Sequence, residues 1–350
     1  MTDNRQPTDN GQPRVRRSFS VVGHSPDVVE LRTGVWNAKS YTLTDDSRSG
    51  TLFNLISGLD GTLSRRDLAK REGVSRVEVE ALVDHLYGLD AIEEGPGNAL
   101  DAYLDEMAAL GGRTAEPVAS GVVLLGDTDL CELTASLLPA EVTGDVLIPG
   151  AEHPVRARLD ALAPAVLHDG LAFEEAVETL RPWQGRYLLL AEKTIDPVRA
   201  QLLNRLTRAA GIDWTYAAVD GPFLFVGPTM VAGRSACFEC FETRVTMNLR
   251  ESAGYQRYKA ALARSAVLAG APPVYGPVRS LLCSHLAMEA TNYLSCGSTF
   301  TIEKVLGCYL PSMEIAYQEV LPLPGCPGCG PVPERDDETL HFDPRTWLEG

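Results

Sequence analysis

The 350-residue chain lacks long apolar runs and carries little positive charge. Its apolar stretches, such as residues 122–125 and 188–191, are far shorter than the roughly 20 residues of a membrane-spanning helix. Residues 1–20 contain no apolar segment of the kind found in secretory signals, so we expect a cytoplasmic protein with reduced thiols and no membrane association. Lys and Arg total 31 against 47 Asp and Glu, and the net charge of −16 argues against general binding to nucleic acid or anionic lipid.

Sequence patterning divides the chain into two folded bodies, and its length suits two domains of roughly 100–200 residues each. The first body covers residues 19–95 and the second covers residues 120–332. We expect residues 1–18 to be disordered, residues 96–119 to form a linker helix, and residues 333–350 to form a polar C-terminal tail.

The first body has three short extended segments followed by three helical segments. Residue types and apolar spacing indicate strands at residues 28–31, 34–38 and 40–43, and helices at residues 51–59, 64–72 and 75–89. Ser64 is the predicted N-cap of the second helix and Gly73 its stop, and the third helix opens with a capping box formed by Ser75 and Glu78. Three small strands before three helices are typical of a winged helix-turn-helix.

Winged helices usually bind DNA, but the charge of the third predicted helix opposes that function. Between residues 75 and 94 a single basic residue, Arg76, is outnumbered by six acidic residues. Phosphates would repel a recognition helix with that charge, so DNA binding is the weaker alternative. An open sheet can instead accept a peptide as an additional strand, and a third alternative is a folded spacer without a ligand.

For a bound peptide, the expected contacts are the edge of the third strand and the outward face of the third helix. The strand edge would supply backbone hydrogen bonds worth about 0.5–1.5 kcal/mol each. The helix would contribute the positions that its core-facing residues leave over. The predicted contact residues are Lys39, Ser40, Tyr41, Thr42, Leu43, Val77, Ala81, Asp84 and His85.

The eight cysteines fall into two groups. Four of them form two Cys-x-x-Cys pairs, Cys237 with Cys240 and Cys326 with Cys329. This spacing allows tight turns to aim four thiolates at one point, which predicts a closed tetrahedral site for structural zinc. An iron–sulfur cluster and a dithiol redox pair are the alternatives. The other four occur singly among apolar residues and are predicted to be small buried hydrophobes, namely Cys131, Cys283, Cys296 and Cys308.

The second body alternates strand and helix patterns, which predicts βα units and a largely parallel sheet. Strands are predicted at residues 121–125, 186–191 and 223–226, and helices at residues 197–210 and 281–294. The turn after the first of these strands has one glycine, Gly126, and two carboxylates, Asp127 and Asp129. A phosphate-binding turn needs several spaced glycines, so we interpret the two aspartates as helix N-caps and expect no ATP or dinucleotide there.

Residues 226–240 together with residues 324–330 resemble the zinc-bearing E1/ThiF-like fold, which is a Rossmann-type domain. The resemblance is strongest to the ocin-ThiF-like, or F-protein, branch, whose members are partners in the biosynthesis of thiazole- and oxazole-modified peptides, including thiopeptides. The first body is similar to the RiPP recognition element, a PqqD-like winged helix that binds the leaders of ribosomally made precursor peptides. The chain is therefore expected to be an α/β protein with these two domains in that order.

The resemblance implies a non-catalytic adaptor. The first body would bind a precursor leader peptide, and the E1-like body would dock a YcaO-type cyclodehydratase that uses ATP to form azolines. The resemblance also suggests a homodimer through the E1-like body. Where relatives often have an aspartate at a strand end, this chain has Ala191-Glu192-Lys193-Thr194. Two alternatives stay open: an active E1-like enzyme that uses ATP for adenylation, and a zinc-containing winged-helix transcription regulator.

Overall fold

The computed structural model describes residues 12–36, 39–94, 98–107, 114, 118–268, 270 and 272–330. The chain forms two compact units, Met1–Ala108 and Ala109–Gly350. The boundary between the units falls within the segment predicted to be a linker helix. No helix in the described part of the chain combines the length and apolar character that a membrane crossing requires.

The described residues of the first unit form a three-stranded antiparallel sheet, a two-stranded ribbon and four helices. The sheet has the order β2-β3-β4, and β1 pairs with β5 to form the ribbon. In chain order the elements are β1 (Pro13–Val15), β2 (Phe19–Ser25), β3 (Val28–Thr33), β4 (Lys39–Thr44), α1 (Leu52–Ser57), α2 (Arg65–Glu72), α3 (Arg76–Gly88), β5 (Ile92–Glu94) and α4 (Ala99–Glu106).

The helix ends of this unit follow the signals read from the sequence. The Ser64 side chain accepts a hydrogen bond from the Asp67 N–H at the start of α2, and the capping box of Ser75 and Glu78 is present at the start of α3. Gly73 ends α2 with a φ of 70°, a conformation that glycine adopts at little cost. The inward residues of α3 pack with the sheet around one core, in which Val79 and Val83 are fully buried.

Three predictions for the first unit need correction. The strand predicted at residues 34–38 is a bend over residues 34–36, where Gly34 has a positive φ, and residues 37 and 38 lie outside the described residues. The strand β2 was not predicted, because Gly23 and its serines weaken the strand pattern. The N-terminal segment predicted to be disordered contains β1, which is stabilised by pairing with residues 92–94, although residues 1–11 are not described.

The second unit is built on a seven-stranded sheet with helices on both faces. Its strands are β6 (Gly121–Gly126), β7 (Asp145–Leu147), β8 (Tyr187–Glu192), β9 (Trp214–Asp220), β10 (Phe223–Met230), β11 (Lys304–Tyr309) and β12 (Glu314–Glu319). Its α-helices are α5 (Thr128–Leu137), α6 (Ala140–Thr143), α7 (Pro154–Ala161), α8 (Gly170–Thr179), α9 (Pro197–Ala210), α10 (Phe238–Asn248), α11 (Ser252–Leu262) and α12 (Gly276–Cys296).

The sheet is mixed rather than largely parallel, with the order β12-β11-β10-β9-β8-β6-β7. Strands β7, β6, β8 and β9 are parallel, whereas β9, β10, β11 and β12 pair antiparallel. The prediction of a parallel sheet is wrong for the second half because β9–β10 and β11–β12 are joined by hairpins too short for a crossover helix. The α/β class itself is confirmed.

Successive residues of the central strands point into two different cores, one on each side of the sheet. On one side Leu188 and Leu190 pack with α9 and α10, and on the other side Tyr187 and Leu189 pack with α5 and α12. The burial of both faces explains the continuous apolar runs of these strands. The four cysteines predicted to be buried hydrophobes are buried, and none forms a disulfide.

Candidate functional site

The four cysteines predicted to bind zinc lie together in the second unit, one pair at the start of a helix and the other in a turn. Cys237 immediately precedes α10, Cys240 lies in its first turn, and Cys326 and Cys329 lie in a turn that follows β12. All four sulfur atoms lie within 4.8 Å of one another. Individual Sγ–Sγ distances are 4.0 Å for Cys237–Cys240, 3.7 Å for Cys237–Cys326 and 3.3 Å for Cys240–Cys329.

This geometry fits a tetrahedral metal ion. With metal–sulfur bonds of about 2.3 Å, sulfurs at the corners of a tetrahedron are about 3.8 Å apart, close to the separations found here. Backbone N–H groups point at two of the sulfurs, with Leu323 donating to Cys240 at 3.3 Å and Gly328 donating to Cys326 at 3.4 Å. These donors suit thiolates, so the cluster could hold a metal ion such as zinc.

The cysteines of the cluster differ in pKa: burial acts to raise the pKa of Cys240, but hydrogen bonds to its sulfur, led by that from the Leu323 N–H, leave it lowered. Burial raises the pKa of the Cys237 thiol to about 11, and burial likewise raises the pKa of Cys329. Without a cation, these thiols would hold their protons at neutral pH, because a buried thiolate has lost its hydration. A divalent metal ion would supply the opposite charge that lets them ionise.

A buried carboxylate fixes the first cysteine pair to α9. Glu239, between Cys237 and Cys240, is only 4% exposed. It accepts two hydrogen bonds from the Arg205 guanidinium, of which the Nη2 bond measures 3.0 Å. Asn204 also contributes, since its side-chain oxygen accepts the Phe238 N–H at 3.0 Å. The sequence reasoning did not identify Glu239 or Arg205, which are 34 residues apart.

A second polar cluster lies at the carboxyl ends of β6 and β8, where the strand order reverses. In doubly wound sheets ligands bind in the crevice at this point. Here Asp129 forms ion pairs with Lys193 at 2.7 Å and Arg279 at 3.0 Å. The Asp127 carboxylate accepts the Lys193 N–H at 2.8 Å. Gly126 approaches the neighbouring strand so closely that an added Cβ would lie 1.8 Å from the Ala191 oxygen.

The interpretation of the two aspartates as helix N-caps is confirmed for the position of Asp127 and wrong for Asp129. Asp127 occupies the N-cap position of α5, but its side chain makes no capping hydrogen bond because the carboxylate reaches across to β8. Asp129 lies in the first turn and is engaged by two cations from other elements. The crevice at the switch point is thus lined by the protein's own ion pairs.

Glu192 is a further buried carboxyl at the end of β8. The Tyr216 hydroxyl donates to it at 3.2 Å, and the Asp196 N–H donates to it at 3.3 Å. Burial raises the pKa of Glu192 to about 7, although Arg199 acts in the opposite direction. Sequence reasoning noted Glu192 only as a departure from an expected aspartate.

In the first unit, the predicted peptide-binding strand lies at an edge of the sheet. β4 pairs with β3 along one side, and no described strand pairs with its other side. The side chains of Ser40 and Thr42 are exposed, whereas Tyr41 packs beside Phe19 with ring centroids 6.0 Å apart. Lys39 places its ammonium 5.3 Å from the Tyr41 ring centroid.

Leu43 requires a correction among the predicted contact residues. Its side chain is buried in the core of the first unit because β4 alternates between the core face and the solvent face. Its backbone alone is left for a peptide. The four predicted residues of α3 are all exposed, namely Val77, Ala81, Asp84 and His85.

An exposed aromatic residue next to β4, Trp36, was not among the predicted contact residues. Trp36, in the loop between β3 and β4, is 99% exposed. Its ring is available to a peptide bound along the adjacent β4 edge. The available signal was a lone tryptophan just after the turn at Gly34.

Comparison with known proteins gives structural matches only. Neither a protein-family model nor a curated protein matches the chain. A solved structure described as the heterocyclase TruD has a TM-score of 0.63 at 15% identity, over 92% of this chain and 43% of its own. A heterocyclase in complex with substrate and cofactor matches with a TM-score of 0.62 at 15% identity, over 91% of this chain and 39% of its own.

A third match is Escherichia coli MccB crystallised with AMPCPP and MccA, with a TM-score of 0.52 at 13% identity. It covers 91% of this chain and 99% of MccB. The chain thus spans about two fifths of the length of the heterocyclases and nearly all of MccB. These matches support the resemblance at the level of the fold: the chain shares the fold of the heterocyclase TruD and of MccB.

Proposed function

We propose that this protein is a non-catalytic adaptor in the maturation of a ribosomal peptide. It binds the leader of a precursor peptide through the first unit and presents the precursor to a YcaO-type cyclodehydratase, which forms azolines. A general role in peptide maturation is supported by the fold shared with heterocyclases and MccB. The leader, the cyclodehydratase and a homodimer through the second unit are parts of the proposal.

The observation that carries the proposal is the open edge of β4. An extended peptide can add to such an edge, where main-chain hydrogen bonds give affinity and side-chain pockets give specificity. The exposed face of α3 provides side chains of mixed character, apolar at Val77 and polar at Asp84 and His85. We interpret the first unit as a winged helix adapted for peptides, because the acidic residues of α3 would repel DNA.

Two proline variants test whether the edge is used. Successive N–H groups of a strand point in opposite directions, so one of Tyr41→Pro and Thr42→Pro removes a bond to β3 and the other removes an outward N–H. The variant that keeps the wild-type melting temperature identifies the outward position. We expect that variant to lose most of its affinity for a fluorescein-labelled leader peptide in an anisotropy titration. Wild-type affinity in the stable variant would refute binding by strand addition.

We also propose that the four-cysteine cluster holds one structural zinc ion. Four thiolates form a closed shell that leaves no position for a substrate or a water, so the ion stabilises the fold. Cys237→Ser should reduce zinc to well below one ion per chain in elemental analysis. Cys283→Ser, which changes a buried cysteine outside the cluster, is the matched control and should retain the metal. Equal zinc in both variants would contradict the ligand assignment.

An active adenylating enzyme is the second candidate function, and the match to MccB crystallised with AMPCPP favours it. Against it, the Asp129 carboxylate engages the cations Lys193 and Arg279 at the crevice that a nucleotide would need, and the Asp127 carboxylate occupies the Lys193 backbone N–H. We therefore expect no ATP–pyrophosphate exchange by the purified protein, alone or with precursor peptide. Exchange above that of a boiled sample would favour the enzyme over the adaptor.

A further inference from the structure

The seven-stranded sheet of the second unit has an exposed edge at β12. Its backbone pairs with β11 along one side, in an unbroken register from Lys304–Glu319 to Tyr309–Glu314. No described strand pairs with the other side, and all six residues of β12 are exposed. The strand contains no proline, lysine or bulge, which are features that commonly protect such an edge from pairing with another chain.

An apolar groove runs beside this edge. Its floor is the face of β10, β11 and β12 that carries Phe223, Phe225 and Tyr309, and its wall is the second half of α10. The groove encloses about 950 Å³. The ring centroid of Phe223 lies 6.0 Å from that of Phe225 and 5.2 Å from that of Tyr309. The three rings therefore form a continuous aromatic surface. On the wall, Met247 is 76% exposed.

The opposite face of the same edge is also apolar. Ile315 points away from the groove and is exposed to 46%. A strand added to β12 would lie beside Glu314, Ala316 and Gln318 on the groove face, with the aromatic floor beyond them, and beside the apolar Ile315 and Tyr317 on the opposite face. Exposed apolar surface of this extent, on an open strand, is characteristic of a protein-binding site.

The negative charges at the two ends of β12 favour a partner strand with positively charged residues over a second copy of β12. Glu314 and Glu319 lie at the ends, and Lys304 of β11 stands opposite Glu319, whereas Glu314 faces Tyr309. Antiparallel pairing of two copies over the whole strand would bring Glu314 of each copy opposite Glu319 of the other, which is unfavourable. A partner strand with Lys or Arg at its ends would instead gain cross-strand ion pairs.

We propose that β12 and the adjacent groove are the docking surface for the cyclodehydratase partner, which adds an extended segment with alternating apolar residues flanked by Lys or Arg. This inference rests on the proposed function. The matches to the two heterocyclases agree with a separate partner. This chain covers 39% and 43% of those proteins, so more than half of each heterocyclase has no counterpart in this chain.

The test uses the full-length protein and a labelled peptide, Thr-Lys-Phe-Thr-Val-Thr-Lys-Thr, in which the lysines would oppose Glu319 and Glu314. The control peptide has both lysines replaced by glutamate. We expect the lysine peptide to slow hydrogen exchange at residues 314–319 and to bind about tenfold more tightly than the glutamate peptide. Glu314→Lys should reduce or reverse that preference.

Two further variants test the groove. Met247→Glu should weaken binding of the lysine peptide about tenfold, because it places a charge on the apolar wall. Leu171→Glu, at a leucine of α8 that is 70% exposed, is the matched control and should leave binding unchanged. Equal binding of the two peptides, or no protection of residues 314–319, would overturn the proposal.

Other occupants of the surface would give distinct results. A wild-type dimer that Met247→Glu converts to a monomer in light scattering would assign the surface to a second copy and overturn the proposal. Peptide binding that appears only after residues 331–350 are deleted would assign it to the chain's own C-terminal segment, with the same consequence. Leader binding, measured in the same samples, separates the proposed leader-binding function from the proposed docking surface. A protein that binds the leader but not the lysine peptide would refute the docking surface alone.

Discussion

At the scale of single residues, two buried carboxyl groups have opposite roles. Glu239 is paired with Arg205, and this pair anchors the start of α10 to α9. Glu192 has no comparable ion pair and keeps its proton to higher pH because burial penalises its charge. Replacing either carboxyl group should therefore change the free energy of unfolding in a characteristic way.

Replacing Glu239 should destabilise the second unit. Glu239→Gln leaves the Arg205 guanidinium without its carboxylate, and breaking a buried ion pair costs about 3–5 kcal/mol. Because Arg205 keeps a quarter of its side chain in solvent, with 25% exposure, we expect a smaller loss. The free energy of unfolding in urea should fall by about 1–3 kcal/mol. Glu178→Gln breaks an exposed ion pair with Arg181 and should change it by less than about 0.5 kcal/mol. A loss no larger than that of the control would contradict the role of Glu239.

Glu192 should make the folded state less stable as the pH rises. Its pKa is about 7 in the folded protein against 4.5 for the free carboxyl, so the unfolded chain releases this proton first. The stabilisation is complete below pH 4.5 and is lost as the pH passes through about 7. Between pH 5 and pH 8 we expect wild type to lose about 2–3 kcal/mol relative to Glu192→Gln in urea unfolding. Parallel pH profiles for the two proteins would contradict this.

At the scale of elements, the two cysteine pairs are held in different ways. The first pair is fixed to α9 through Asn204 and Glu239, contacts that need no metal. The second pair lies in a turn after β12 that is held by backbone hydrogen bonds, such as Gly330 N–H to the Cys326 oxygen at 2.7 Å, and by a 3.4 Å bond from Arg208 of α9 to the Cys329 oxygen. A metal ion would therefore matter most for the turn.

Removing the metal should loosen the second pair more than the first. Treatment with a chelator should speed hydrogen exchange at residues 324–330, because Cys326 and Cys329 lose the metal that links them to the cysteines of α10. Amides of α10 should keep most of their protection, since α9 still anchors the helix start. Mass spectrometry of the exchanged protein measures both segments in one sample. An equal increase in both would mean that the metal organises the entire site.

At the scale of the whole molecule, the two units have separate cores. The core of the first unit consists of residues between 15 and 92, and the two cores of the second unit draw on none of them. Damage to one core should therefore leave the other folded. The proposed division of labour, with leader binding in one unit and docking in the other, depends on this separation.

A variant of the metal site tests that independence. Cys326→Ser should lower the melting temperature of the second unit and produce two separate transitions in calorimetry. Leader affinity should change by less than about threefold, because sites that share no contacts behave additively. Loss of leader binding in proportion to the loss of zinc would show that the units fold as one and would contradict the separation.

The sequence by itself determined the features that depend on neighbouring residues. Two residues between paired cysteines let both thiols point at one site, so the cysteine cluster was predictable. A capping side chain lies within three residues of the amide whose hydrogen bond it accepts, so the caps of α2 and α3 were predictable as well. Strand and helix periodicity likewise gave the α/β class.

Only the tertiary structure decided the features that join distant residues. The Asp127 carboxylate and the Lys193 N–H are 66 residues apart, and the burial of Leu43 depends on which face of β4 meets the helices. The antiparallel half of the sheet and the exposed edge of β12 depend on strand order. Strand pairing is decided by the packing of whole elements around a core, and the periodicity of one strand carries no record of its neighbours.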